Sequence, residues 1–463
     1  MIKNNVETYN IHRELLHPML YMQHRGTRMD VVQMKSDTKK LKNIFEKRQE
    51  QLNELVGHDI NMNSSLQMKN YFYIEKNIKP YLNPKTHKPS CDKEALKRLS
   101  RRGFLEASII LEMRRADKLR NSYLEAKLSD DNRLRSAFGF TRGGRLTASK
   151  DLFGEGINMQ TLPHPRTFFE EPNNPNSEVL LRLDFREYLL ADEGYLLYNI
   201  DEAQAENRVV AYIAPDLNMI QAFEDGIDIH KRTAALCFNK PIEEVSTVDG
   251  SCSIGDGTRS ERYYGKETNH ATNYGMGAKT FAFNLEIPES QAQMLQARYL
   301  SGYPGVRLYY NWVPEKIRQE RMLVNLFGRA YEFFNRIDDS NKSDALYFIP
   351  QSTVGDLINR WGILKIWREK DEFFRGLELL NQVHDSIVFQ IPISLGFEAH
   401  WRMLKELIRS LAQELSWEGR SFSIPSDLSV GLKYGELDEL KGAKINEVEF
   451  RKLWEKHTNK ESL

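Results

Sequence analysis

The chain has 463 residues, 40% of them hydrophobic, and its 65 Lys and Arg are matched by 65 Asp and Glu. This composition is that of a globular protein with two or three cores, and it excludes disordered and collagen-like classes. Zero net charge provides no global field to attract nucleic acid, and three cysteines without paired spacing (Cys91, Cys237, Cys252) argue against a disulfide framework or a zinc site. A reducing, cytoplasmic compartment is expected. The start "MIKNNVETYN" lacks the apolar stretch of a secretory signal, and no apolar run reaches the length of a membrane span, so no membrane partner is expected.

In chain order, residues 10–36 carry apolar positions at helical spacing, broken at Gly26, and 37–56 form a Lys/Glu-rich helix. A capped helix begins near Ser65, and "IKPYLNPKTHKPS" (78–90), with three prolines, is a loop. Two basic amphipathic helices follow at 92–102 and 104–128. From Lys93 to Lys150 there are fifteen Lys and Arg against seven Asp and Glu, which makes this stretch a candidate anion-binding surface. "LRSAFGFTRGGRLTAS" alternates around a Gly-Gly turn and reads as a hairpin. "YLLYNID" (195–201) is a buried strand ending in a carboxylate, helical spacing returns over 203–238, and 246–260 is a loop. Helices dominate to about 370. "ELLNQVHDSIVFQIP" (378–392) is a tight hairpin, followed by a helix (396–416) and a strand (422–435). The order is helical, mixed, helical, mixed, so the third block reads as an insertion into a domain built from the second and fourth. The tail, 441–463, is expected to pack locally.

Two features carry chemistry. Arg262, Lys266, His270 and Tyr274 recur at a step of four, which advances about 40° per step on a helix and so forms one slanting stripe. Arg and Lys there suit phosphate oxygens, and the two rings beyond suit a sugar or base, as if a nucleoside triphosphate lay along the helix. A solvated, charged helix face is the plain alternative. Asp201 ends an apolar strand and Asp385 sits at an apolar hairpin tip. Carboxylates placed there are costly unless paired or metal-bound, and two converging from separate strands suit a pair of magnesium ions. Two ordinary turn aspartates are the alternative.

These segments together resemble family A DNA polymerases, the bacterial DNA polymerase I type. "YNIDEAQAENRVVAY" (198–212) is similar to motif A, with Gln204, Glu206 and Arg208 at the family's offsets from Asp201. "RYYGKETNHATNYG" (262–275) is similar to motif B and "QVHDSIVF" (382–389) to motif C. "QSTVGDL" (351–357), "DIHKRTA" (228–234), "GGRLTAS" (143–149) and "INMQTLP" (157–163) match further segments in order. The resemblance covers about residues 10 to 440. It implies an α+β right-hand polymerase: thumb and lead-in helices (1–132), antiparallel palm sheet (133–206 and 350–440), helical fingers (207–349) and a C-terminal tail (441–463).

The resemblance implies a DNA-directed DNA polymerase acting on primer-template DNA and dNTPs with two Mg2+ ions. Asp201 and Asp385 would bind the metals, and Lys266 would complete the catalytic set. Arg262, Lys266 and His230 would hold the triphosphate. Glu206 would block a ribose 2′-hydroxyl with Tyr274 beneath it, and Gln204 and His270 would complete the nucleotide site. Arg145, Asn158, Gln160, Gln351, His384 and Arg208 would contact DNA, with Arg145, Gln160 and Gln351 reading minor-groove acceptors and His384 steadying the primer end. The helices of 92–128 would grip phosphates without sequence preference. A processivity or replisome partner is compatible with the family.

Several positions depart from the family. Ser386 replaces the usual Glu of motif C, His270 an aromatic ring, Glu202 the aromatic after the first Asp, and Tyr347 a common Asn. His-Asp-Ser is the motif of single-subunit phage RNA polymerases, so that enzyme class is the nearest alternative, and a catalytically idle nucleic-acid-binding relative is a second. The family's thumb lead-in begins near residue 10, so either a short phage- or plasmid-like form without exonuclease domain or a shortened piece of a longer chain is expected, in either case without 3′–5′ proofreading.

Overall fold

The computed structural model describes residues 2–83, 86–172, 174, 176–255 and 257–461. At its centre is a five-stranded antiparallel sheet, in the order Glu378–Val383, Ser386–Pro392, Tyr195–Glu202, Ser426–Gly431, Asp438–Leu440. The middle strand reads as a nearly continuous apolar run because both its faces are covered. Leu196, Tyr198 and Ile200 pack with Ile387, Phe389, Leu428 and Val430 against helices on one side. Leu197 joins Val388, Leu380 and Ala191 in a smaller cluster on the other.

The hairpin 378–392 forms as expected, and its turn is only His384–Asp385. Two-residue hairpin turns need positive φ, and His384 adopts +54° without being glycine. The hairpin 134–149 also forms, pairing Ala137–Phe140 with Leu146–Ser149. Its Gly144 has φ +83°, and a Cβ there would lie 2.5 Å from Arg329 Cζ, so only glycine fits. The segment 422–435 differs from the single strand expected. Arg420–Phe422 pairs instead with Leu415–Trp417, and the sheet strand starts at Ser426, after Pro425. Proline cannot donate to a ladder, so the chain switches partners there. The preceding helix accordingly stops at Leu411.

Three groups of helices pack around the sheet among the described residues. Val31–Val56, Lys93–Arg101 and Leu105–Leu119 build the N-terminal cores. Ala205–Ile213, Gly305–Glu320 and Asp339–Leu357 share another, and Glu261–Asn273, Ala278–Leu285 and Glu289–Gly302 a third, with Cys237 and Cys252 inside it. All three cysteines are buried and free. The first helix, Ile2–Arg25, does not join the helices that follow it. Its Leu15, Met19 and Met22 enter the core beneath the central sheet. Its polar face pairs with the last third of the chain, Glu7 with Arg360 and Glu14 with Arg368, each at 2.6 Å. The C-terminal helix Glu447–Glu461 seats Phe450 against Phe397 and Trp401 in the same core.

A buried ion pair ties the hairpin Met322–Glu332 to the long helix Asp339–Leu357 and the first helix. Arg329, 2% exposed, is bidentate to Asp356, 0% exposed, at 2.7 and 2.9 Å, and a third nitrogen reaches His12 Nε2 at 3.0 Å. On the far side, Arg101 of the basic helix reaches Glu286 at 2.6 Å, and Lys97 contacts the same carboxylate. These contacts bridge the N-terminal and inserted helices beside a cavity of about 920 Å³. Among the described residues no helix is long and apolar enough to cross a membrane.

Candidate active site

The sheet register builds the acidic centre. Asp201 lies opposite Ser386 on one neighbour and Asp427 on the other, and cross-strand partners share a face. Asp385 precedes Ser386 at the hairpin tip, where its carbonyl accepts from Glu202 N at 3.0 Å. Burial first, then the fields of Asp385 and Asp427, push the Asp201 carboxyl up to about 8. Burial and Glu206 raise Asp385, with Arg145 and His384 opposing. Burial raises Asp427 as well, offset by Lys441. Ionised, these carboxylates repel one another in a site short of positive charge, and a divalent cation would relieve that. Among the described residues no cluster of three or more His, Cys, Asp or Glu is arranged to hold a metal. The Asp201–Asp385 pair nevertheless fits magnesium, which is commonly held by one or two carboxylates, waters and substrate phosphates.

The hairpin tip is braced from below. Gln160, 8% exposed, accepts from His384 N at 3.0 Å and donates to the Gln382 carbonyl. Asn158 Oδ1 accepts from Gln160 N at 3.0 Å and caps the short turn that presents it.

Arg262, Lys266 and His270 lie on the helix Glu261–Asn273, with Tyr274 just past its end; Ser260 caps the helix, its hydroxyl accepting from Tyr263 N at 3.3 Å. This helix packs tightly on Ile229–Phe238. A Cβ on Gly265 would lie 2.2 Å from the His230 carbonyl oxygen, so the glycine permits the approach. Arg262 Nε donates to Asp228 at 2.6 Å, and Lys266 is exposed. The His230 and His270 rings are 5.8 Å apart. Asn269 Nδ2 lies 3.1 Å from His230 Nδ1, and an amide donating there leaves the imidazole proton on Nε2. Burial drives the His230 pKa down to about 3, with His270, Arg262 and Lys266 adding to the effect against Asp228. His270 is lowered too, chiefly by burial, with Glu206 opposing. Arg262, Lys266 and His270 of the row thus lie beside His230 of the neighbouring helix, and burial disfavours the charged form of both imidazoles.

Tyr274 ends the row differently. It is 5% exposed and its hydroxyl donates to Glu206 Oε2, while Arg145 Nη2 donates to Glu206 Oε1. Glu206, His270, Tyr274, Tyr347 and Gln351 line one cavity of about 330 Å³. His270 lies in the last turn of its helix and Tyr274 just beyond it, while Tyr347 and Gln351 lie one turn apart on Asp339–Leu357.

The DNA polymerase family A model matches residues 31–436. The chain belongs to DNA polymerase family A. It is 26% identical over 435 residues to the thermostable DNA polymerase I of Thermus aquaticus, covering 91% of this chain and 47% of that protein. It is 29% identical over 374 residues to the DNA polymerase I of Treponema pallidum, covering 79% of this chain and 34% of that protein. The chain thus spans half or less of the length of these relatives. The POL domain of Pol1 from M. smegmatis, solved in complex with DNA primer-template and dNTP, shares the α+β fold, with a TM-score of 0.73 and 21% identity over 91% of this chain and 69% of that one.

In this family A chain the expected residues fall into three places. Asp201, Asp385 and His384 meet at the strand ends. Glu206, His270, Tyr274 and Gln351 line the cavity, with Arg145 on Glu206, while Arg262 and Lys266 precede His270 on its helix and His230 faces His270 from the next. The side chains of Gln204 and Arg208 are engaged elsewhere: Gln204, at φ +54°, accepts from Ile229 N at 3.1 Å, and the Arg208 guanidinium lies 4.5 Å over the Phe223 ring. Sequence reasoning did not single out Asp427. Its closeness to Asp201 depends on a strand register that no local pattern encodes.

Proposed function

We propose that this chain is a template-directed DNA polymerase that adds deoxynucleotides to a primer 3′ end. The observation carrying this reading is the Asp201–Asp385 pair, set at the strand ends beside a cavity walled by Glu206, His270, Tyr274 and Gln351. Family membership supports it. In this reading residues 1–132 serve as thumb, 133–206 and 350–440 as palm, and 207–349 as fingers.

Two Mg2+ ions, held by Asp201 and Asp385, would activate the primer hydroxyl and stabilise the leaving pyrophosphate. The chain's own residues do the rest. Arg262, its Nε fixed by Asp228, turns its remaining donors to the triphosphate, with Lys266 as a point charge beside it. His230 adds a neutral N–H donor. Gln160 holds the hairpin tip so that Asp385 stays at a fixed distance from the primer end. Gln351 and Arg145 face the nascent pair, and the basic helices of 92–128 bind duplex phosphates. Primer extension on a primer–template with Mg2+ and dNTPs tests the whole reading, and no extension across metals and templates would refute it.

Glu206, held at both oxygens, crowds the sugar 2′ position. Glu206→Ala is expected to raise ribonucleotide over deoxyribonucleotide incorporation by about 10- to 100-fold, the range open to a site that must reject one extra hydroxyl. Competitive incorporation of the two nucleotides measures it. A parent enzyme that already prefers ribonucleotides would favour an RNA polymerase instead.

His270 stands at the sugar 3′ side, where a ring with hydrogen-bonding atoms can replace a missing 3′-hydroxyl. The parent enzyme is expected to tolerate dideoxynucleotides, and His270→Phe to discriminate against them by up to about tenfold more, the worth of one neutral hydrogen bond. Equal ddNTP/dNTP selectivity in the two proteins would remove His270 from this role.

A further inference from the structure

We propose that Tyr347 is a positioning residue for sugar selection: its ring fixes Tyr274, and Tyr274 in turn fixes Glu206. The proposal rests on the reading that Glu206 is the group that crowds the 2′ position.

A glutamate side chain has enough rotatable bonds to move out of the way of a hydroxyl. In this site its two oxygens are held from opposite sides, Oε1 by Arg145 and Oε2 by Tyr274. Arg145 belongs to the strand hairpin and is backed by Gly355, whose added Cβ would lie 3.3 Å from Arg145 Cγ. Tyr274 has weaker backbone support. It follows the last residue of its helix and precedes Gly275 at φ +69°, so the helical ladder does not fix its direction. What lies flat against its ring is Tyr347, with centroids 4.2 Å apart and planes 30° apart. Tyr347 is anchored in the interior of the helix Asp339–Leu357, which the buried Arg329–Asp356 pair ties to the rest of the protein. A rigid helix therefore sets Tyr347, Tyr347 sets Tyr274, and Tyr274 sets one oxygen of Glu206.

Without the second ring, Tyr274 gains room to rotate, and Glu206 keeps only the Arg145 contact. A carboxylate held at one oxygen can swing, and a 2′-hydroxyl then fits. A stacked aromatic pair is worth up to about tenfold in an equilibrium. The ribonucleotide-to-deoxyribonucleotide ratio of kcat/KM in Tyr347→Ala is accordingly expected to rise by up to about tenfold. Tyr347→Phe, which keeps the flat ring, stays near the parent ratio. Tyr347→Leu keeps apolar bulk without the flat face. It is expected to behave like Tyr347→Ala and carries the test if the alanine protein is unstable.

The deciding measurement is the double variant. If Tyr347 acts only through Glu206, adding Tyr347→Ala to Glu206→Ala leaves the sugar ratio where Glu206→Ala alone put it. Independent, multiplying effects would overturn the route through Glu206. So would an unchanged ratio in both Tyr347→Ala and Tyr347→Leu while Glu206→Ala raises it. An unchanged ratio in Glu206→Ala itself would instead overturn the reading of Glu206, and this inference with it.

Discussion

Asp201→Ala and Asp385→Ala are each expected to abolish nucleotide addition, by about a thousandfold or more, while primer–template affinity changes little. The magnitude follows from losing several kcal/mol of charge stabilisation at the reacting phosphate. Affinity survives because the basic helices belong to a different core from the strands that carry Asp201 and Asp385. The acidic centre adds a second, opposite expectation. Buried carboxylates that repel one another cost stability, so both variants are expected to melt at higher temperature than the parent when divalent ions are chelated. Ser386→Ala is the contrast. Its hydroxyl already donates to the Val383 carbonyl at 3.0 Å, inside the hairpin, and a hydroxyl is a poor magnesium ligand. Extension by either aspartate variant at near the parent rate would remove the pair from the chemistry.

Asp356→Ala is expected to destabilise the protein by about 3–5 kcal/mol, the cost of stranding a buried charge. Arg329 is almost wholly enclosed, and Asp356 supplies both oxygens that satisfy it. Asn325 Nδ2, which donates to the same carboxylate at 2.8 Å, loses its partner too. Among the described residues the guanidinium's other hydrogen bond is to His12, whose pKa burial and Arg329 together hold down at about 4. Urea unfolding measures the loss. Arg409, on a surface pair with Glu406, provides the control, since its removal is expected to shift the midpoint far less. A midpoint for Asp356→Ala as close to the parent as that of the control would mean that water replaces the lost partner.

The parts of this site legible in the sequence are those written in local pattern. An apolar strand ending in Asp201, an apolar hairpin turning at His384–Asp385 and a step of four on one helix each follow from residue order. What the residue order hides is register and docking. Asp427 belongs beside Asp201 only because Ser426–Gly431 pairs with the central strand in one alignment. Tyr347 meets Tyr274 only because the helix that carries it, three helices and a hairpin further along the chain, packs against the end of Glu261–Asn273. Pro425 was visible in the sequence, yet its consequence, a strand divided between two sheets, needed the partner strand Leu415–Trp417 to be known.

The placement of the first helix bears on how the chain is made. Its apolar face is completed by residues around Arg360, Arg368 and Glu378, with paired residues 353 or 354 positions apart. At about 5–20 residues per second, a ribosome needs roughly 20–70 s to deliver those partners after the helix has emerged. Throughout that interval Leu15, Met19 and Met22 lack the part of their native core that comes from Ile358 onward. Completion of the central core is therefore a late, non-local event of high contact order. The nascent first helix is the segment that a holding chaperone would have reason to bind.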